Sequence, residues 1–199
     1  MSRMDFLKLY TFDVVNAFAV LVVIGQAISI ALLALLIWEA IAKRKTAVTT
    51  WVSAHGLILT FIVALVATGG SLFLSEIAGW TPCKLCWFQR IFMYPQALLL
   101  LIALLKRDRQ IAPYILALSI IGILIAGFHY NEQLQAALHP VLDAQGNNTL
   151  LKPCDASGTS CAATQINFIF GYITIPLMAG TGFLLNILGS IAMLRRKTA

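Results

Sequence analysis

Charge is what this chain has least of: 11% of its 199 residues are Asp, Glu, Lys or Arg, against roughly 25% in an ordinary soluble domain. A chain so poor in charge cannot coat a water-facing globule. With 60% hydrophobic residues and a mean hydropathy of +0.87, it reads as a polytopic membrane protein. Acids are scarcer than bases, 8 against 14. In a soluble chain that surplus, with a pI near 9.4, would point to nucleic acid. Here the basic residues sit in short clusters beside apolar runs, where they act as topology signals, so nucleic acid is not an expected partner. Long polar segments are scarce too, with one extended polar loop at 131–165 and no visible internal repeat.

What is abundant is long apolar runs. Five reach the roughly 20 residues that a bilayer crossing needs: Val14 to Ile41, Trp51 to Leu74, Trp87 to Leu105, Ile111 to Phe128 and Ile166 to Leu194. Each is predicted helical, because an open strand would leave peptide groups unpaired in lipid. The expected fold is therefore an all-α membrane bundle, closest-packed where Gly, Ala, Ser and Thr fall. Gly69-Gly70, Pro95 and Pro176 lie inside runs and are candidate kinks. The first run is too long for the core of a secretory signal, follows Asp5 and Asp13, and is stopped by Lys43-Arg44-Lys45, so we read it as a retained anchor.

The clusters Lys43-Arg44-Lys45, Lys106-Arg107 with Arg109, and Arg195-Arg196-Lys197 fall on one side of five spans, and the positive-inside rule makes that side cytoplasmic. The N-terminus is then outside and the C-terminus inside. All four cysteines, Cys83, Cys86, Cys154 and Cys161, are placed in the extracytoplasmic compartment, where disulfides persist. Trp51, Trp80 and Trp87 fit the interfacial aromatic belt.

The cysteines fall into two close pairs. Thr81 can cap the third span and Pro82 suits its first turn, which would set Cys83 and Cys86 on one face of the helix start. Unpaired N–H groups and the helix dipole favour a thiolate there, the species that exchanges disulfides. A static bridge gains little at this spacing: loop entropy gives about 2 kcal/mol for about four residues and about 2.5 kcal/mol for about eight. Redox work is the better use of such a pair. A structural zinc site is the competing reading, since C-x2-C is half of a common zinc pattern, but the second pair is C-x6-C and lies in an oxidising compartment. No metal is expected.

Arg90 follows Cys86 by four residues and Cys83 by seven, on one helical stripe, about 10 Å along the axis from Cys83. An Arg in an apolar run costs about 2.5 to 3.5 kcal/mol at the bilayer centre and less near an end. Directly beneath a thiolate, a fixed cation and donor could hold a quinone carbonyl and stabilise charge as the ring accepts electrons. His129, at the outer end of the fourth run, is placed either to approach the same headgroup or simply to rest a polar tip at the membrane boundary, and Trp87 is placed either to anchor there or to border the headgroup.

The run Pro82-Cys83-Lys84-Leu85-Cys86-Trp87-Phe88-Gln89-Arg90-Ile91-Phe92-Met93-Tyr94-Pro95 resembles the signature of the disulfide bond formation protein B family, the DsbB type with its Gram-positive branch BdbC. The likeness extends to Phe128-His129-Tyr130 and to the loop pair Cys154 and Cys161, and so covers roughly Trp51 to Leu194. It implies a thiol:quinone oxidoreductase of the prokaryotic plasma membrane that reoxidises a DsbA-like thioredoxin-fold partner, with ubiquinone or menaquinone as acceptor. By resemblance, Cys154 is attacked by the reduced partner, Cys161 exchanges with Cys83, and Cys86 with Arg90 meets the quinone, so that Cys83–Cys86 and Cys154–Cys161 are the redox-active disulfides. The family core is a four-helix bundle. Residues 1–50 then form an additional transmembrane helix with a basic loop, and 51–199 the redox unit with its loop at 131–165.

That loop has its own pattern. Leu134, Leu138, Val141 and Leu142 suggest a short helix on the membrane surface, while Gly146-Asn147-Asn148 and Ser157-Gly158 supply freedom around the cysteines. Glu39 is expected to pair with the basic stop signal beside it. Two other classes compete: a vitamin K epoxide reductase-like enzyme, where the membrane CxxC normally follows the loop pair rather than preceding it, and a non-enzymatic scaffold with structural cysteines.

Overall fold

The computed structural model describes residues 11–143, 146–154, 158–164 and 171–197. Among them are five helices long and apolar enough to cross a membrane: α1 (Thr11–Ala42), α2 (Ala47–Leu72), α3 (Lys84–Lys106), α4 (Ala112–Leu138) and α5 (Ile175–Lys197). The described residues contain no strand, only an isolated antiparallel bridge between Leu142 and Asn148.

Helices α2 to α5 close a ring, α2 on α3, α3 on α4, α4 on α5 and α5 back on α2. Small residues let α5 approach its neighbours. Gly122 of α4 leaves room for the buried ring of Phe183, which a Cβ would overlap, and a Cβ at Gly189 would lie 2.6 Å from the methyl of Thr60. Polar side chains add specificity to a contact that lipid does not otherwise drive. The buried Gln96 carboxamide oxygen accepts from Ser119 Oγ at 3.0 Å and from Asn186 Nδ2 at 2.9 Å, tying α3, α4 and α5 together.

Helix α1 stands outside this ring, mainly against α5. Its buried stripe includes Val15, Ala19, Gly25 and Ser29, while Phe12, Ile30 and Ile41 remain exposed as lipid-facing residues would. At its far end Glu39 accepts hydrogen bonds from the Thr46 amide and the Thr49 hydroxyl. Its ionic partner among the described residues is Arg195 of α5, at 3.9 Å, rather than the adjacent 43–45 cluster. Lys45 Nζ donates to the Arg195 carbonyl, and Arg109 donates to the Ser53 and Ala54 carbonyls. The three basic clusters thus share one end of the bundle, and the cysteines occupy the other.

Several local expectations are corrected. Helix α4 does not stop at Phe128 but continues to Leu138, because 131–138 is rich in Gln, Ala, Leu and Glu, good helix formers that need no lipid. The polar connection 131–165 therefore begins as helix, and its described residues form no separate surface helix. Pro176 is not a kink: α5 starts at Ile175, so the proline occupies the first turn, where its missing N–H costs nothing. The predicted span start at Ile166 lies outside the described residues, as does Ser157. Gly146-Asn147-Asn148 is a bonded turn, in which the Asn147 amide donates to Asp143 Oδ1 and Asn148 Nδ2 to the Ala136 carbonyl.

Candidate functional site

A π-helical turn, Phe73–Ile77, ends the α2 segment, and Gly79, at φ +74°, turns the chain back toward α3. The cap of α3 is not Thr81 but Cys83 itself, with φ −71° and ψ 171° and its sulfur accepting from the Cys86 amide at 3.4 Å. The sulfur takes the place usually held by a serine or aspartate oxygen. Cys83 is 3% exposed, and its sulfur lies 3.0 Å from that of Cys86. The hydrogen bond from Cys86 holds the Cys83 thiol far below its ordinary range, to about 4, against burial, which pushes the other way; His129 adds a smaller pull downward.

His129 is 1% exposed and joins the two cysteine pairs. Its Nδ1 accepts from Gln89 Nε2 at 3.1 Å, which leaves the ring proton on Nε2. That nitrogen faces the Cys161 carbonyl at 3.0 Å and Cys83 Sγ at 3.6 Å. Cys161 is thereby docked, 6% exposed, while its disulfide partner Cys154 stands in the open. Cys83, Cys86 and His129 also bring three metal-ligand atoms within 4.8 Å of one another.

On the other side of Cys86 lies an apolar cavity of about 290 Å³, lined by parts of α1, α2, α3 and α5. Its polar contributions are few: Ser71, Cys86, Gln89, Arg90 and Tyr94 among them. Arg90 is 9% exposed and held from α2, with Nε donating to Ser71 Oγ and Nη2 to the Ser71 carbonyl, both at 3.0 Å. Tyr94 Oη donates to the same hydroxyl at 3.1 Å. The guanidinium lies over the rings of Trp87 and Tyr94, 5.0 and 5.9 Å from their centroids. An apolar slot with a fixed guanidinium and a thiol at its wall suits a flat, lipid-soluble ring bearing carbonyl acceptors.

Of the residues singled out in the sequence, Cys86 and Arg90 line the cavity together. His129 and Trp87 do not: the imidazole faces the sulfurs, and Trp87, 53% exposed, stacks on Arg90 from outside. Trp80, read as an interfacial anchor, also lines the cavity, packed near Val15 and Ala19. Ser71, Tyr94 and Gln89 were not anticipated. Gln89 sits within the recognised signature, but Ser71 is 19 positions from Arg90 in sequence, and no local pattern marks so remote a partner.

A family model described as Disulfide bond formation protein DsbB matches residues 53–193. Disulfide bond formation protein C of Bacillus subtilis (strain 168) is 42% identical over 129 residues, 65% of this chain and 85% of that protein. A SPbeta prophage-derived disulfide bond formation protein B from the same organism is 40% identical, covering 64% and 78%. A probable disulfide formation protein C of Halalkalibacterium halodurans is 38% identical over 138 residues, 69% of this chain and 92% of that protein. No solved structure matches.

Proposed function

The chain belongs to the disulfide bond formation protein DsbB family, and on that footing we propose that it oxidises a soluble dithiol partner outside the cytoplasm and passes the electrons to a membrane quinone. The observation that carries this reading is the continuous line of groups from exposed Cys154, through docked Cys161 and His129, to Cys83, Cys86 and the Arg90 cavity. Proposed roles follow position. Cys154, the open end of the loop bridge, receives the thiolate of a DsbA-like thioredoxin-fold partner. The partner leaves oxidised, and the two loop cysteines become thiols.

Those thiols then reduce a Cys83–Cys86 disulfide, with Cys161 exchanging at Cys83, and the loop bridge re-forms. His129 positions the Cys161 backbone and steadies the Cys83 thiolate. When the Cys83 thiolate and the Cys86 thiol close their disulfide again, they would give up two electrons and one proton to a bound quinone, ubiquinone or menaquinone, and a second proton from solvent would complete the quinol. Arg90 orients a carbonyl oxygen and favours negative charge on it, and the apolar walls keep water out. Net, partner dithiol plus quinone gives partner disulfide plus quinol.

The basic end of the bundle is assigned to the cytoplasm, the cysteine end to the extracytoplasmic side, the N-terminus outside and the C-terminus inside. Residues 51–199 are taken as the redox unit and 1–50 as an addition to it. The family match favours this reading over a vitamin K epoxide reductase type or a scaffold. Anaerobic turnover with a reduced thioredoxin-fold partner and a quinone analogue tests it. Quinone loss that matches partner oxidation one for one is expected, and partner oxidation with no quinone consumed would refute the acceptor assignment.

A further inference from the structure

We infer that helix α1, which precedes the family-matched segment 53–193, is a working wall of the acceptor cavity, and that Phe18 is the side chain through which it selects the quinone ring. This rests on the reading of that cavity as the quinone site. Helices α2, α3 and α5 supply most of the lining, and α1 adds Val15, Phe18, Leu21 and Val22. A lipid-facing anchor would not need a defined seat, yet α1 has one. A Cβ at Gly25 would lie 3.1 Å from Thr181 Cγ2 and 3.3 Å from Leu185 Cδ1, both residues of the cavity wall. Tyr172 Oη donates to Gln26 Oε1 at 3.1 Å, and at the opposite end Arg195 Nη1 donates to the Leu36 carbonyl at 3.1 Å.

The position of the Phe18 ring is set by Gly70, where a Cβ would lie 3.0 Å from two of its ring atoms. Gly70 adjoins Ser71, which holds the Arg90 guanidinium. The Phe18 ring therefore borders the backbone that aims the carbonyl-binding group, and its bulk fixes the breadth of slot left beside Arg90. At the neighbouring Gly69 a Cβ would meet nothing within 4 Å. The chain itself thus supplies a matched control.

The test is the ratio of KM for a short-tailed naphthoquinone to KM for a short-tailed benzoquinone, measured on the full chain with a reduced thioredoxin-fold partner. Phe18→Ala should lower that ratio and Phe18→Trp and Gly70→Ala should raise it, by about tenfold for a change of a few methylene equivalents in an apolar pocket. Gly69→Ala should leave it unchanged. An unchanged ratio in both Phe18 variants, at wild-type rates of exchange with the partner, overturns the inference. Wild-type protein that exchanges with its partner but reduces neither quinone overturns the acceptor reading beneath it. Independently of any variant, an azido-naphthoquinone photoprobe on wild-type protein should label a peptide within 11–42, and label confined to 62–94 and 175–185 would overturn the assignment of α1.

Discussion

The two cysteine pairs are built on opposite plans. Cys83 and Cys86 sit at the fixed start of a membrane helix, one sulfur capping it and the other facing an apolar cavity. Cys154 and Cys161 close a short loop, the first residue open to solvent and the second buried with its backbone carbonyl docked on His129. A pair that must meet a soluble protein needs access. A pair that must meet a lipid-soluble ring needs burial, a held cation and a tuned thiolate. In the proposed cycle these demands are separated between two dithiols, which a single imidazole joins.

Removing one sulfur from each pair should break that division most visibly. Cys86→Ser is expected to reduce quinone turnover to background while Cys154 still forms a mixed disulfide with the partner, as seen by trapping and non-reducing electrophoresis. Equal loss of both reactions would show the pairs to be one unit. Arg90→Ala should act only on the buried side, raising KM for the quinone by about tenfold to a hundredfold, the scale of a lost charge-assisted hydrogen bond, with partner exchange unaltered.

The pH dependence sharpens the contrast further. The Cys83 titration lies near 4, below the ordinary thiol value of about 8.5, so its thiolate persists across the neutral range. A group with a lowered folded-state pKa adds stability above its unfolded pKa and loses it as pH falls to the folded one. Protein with the buried pair reduced should therefore lose stability progressively from about pH 8.5 down to about 4. His129→Ala should move the low-pH step in thiolate ultraviolet absorbance upward, with the Cys86 hydrogen bond still present to limit the change. The smallest effect concerns access: once the loop bridge is reduced, a bulky maleimide should modify Cys154 several-fold faster than Cys161, and equal rates would contradict the docked geometry.

Much of this was legible in the sequence for simple reasons. Hydropathy finds spans because lipid leaves the backbone few choices, and Cys83, Cys86 and Arg90 share a helical stripe whatever surrounds them. The misread ends have equally simple causes. Cysteine is not a customary cap, so Thr81 drew the assignment that Cys83 holds. Hydropathy falls at Phe128, but helix propensity does not, and α4 runs on to Leu138. The partners of His129 and Arg90 depend on which helices meet, and Gln89 and Ser71 take those places through tertiary packing alone.

The sulfur that caps the start of α3 would, in the proposed cycle, link helix formation to electron storage. Once its charge is given up to a covalent bond, Cys83 becomes a weaker acceptor for the amide of Cys86, and the first turn loses part of its terminal support. A cap of ordinary strength is worth about 1 kcal/mol, which for a two-electron couple corresponds to a potential on the order of 20 mV higher. The fold thus biases this dithiol toward its reduced form and makes its disulfide a slightly stronger oxidant.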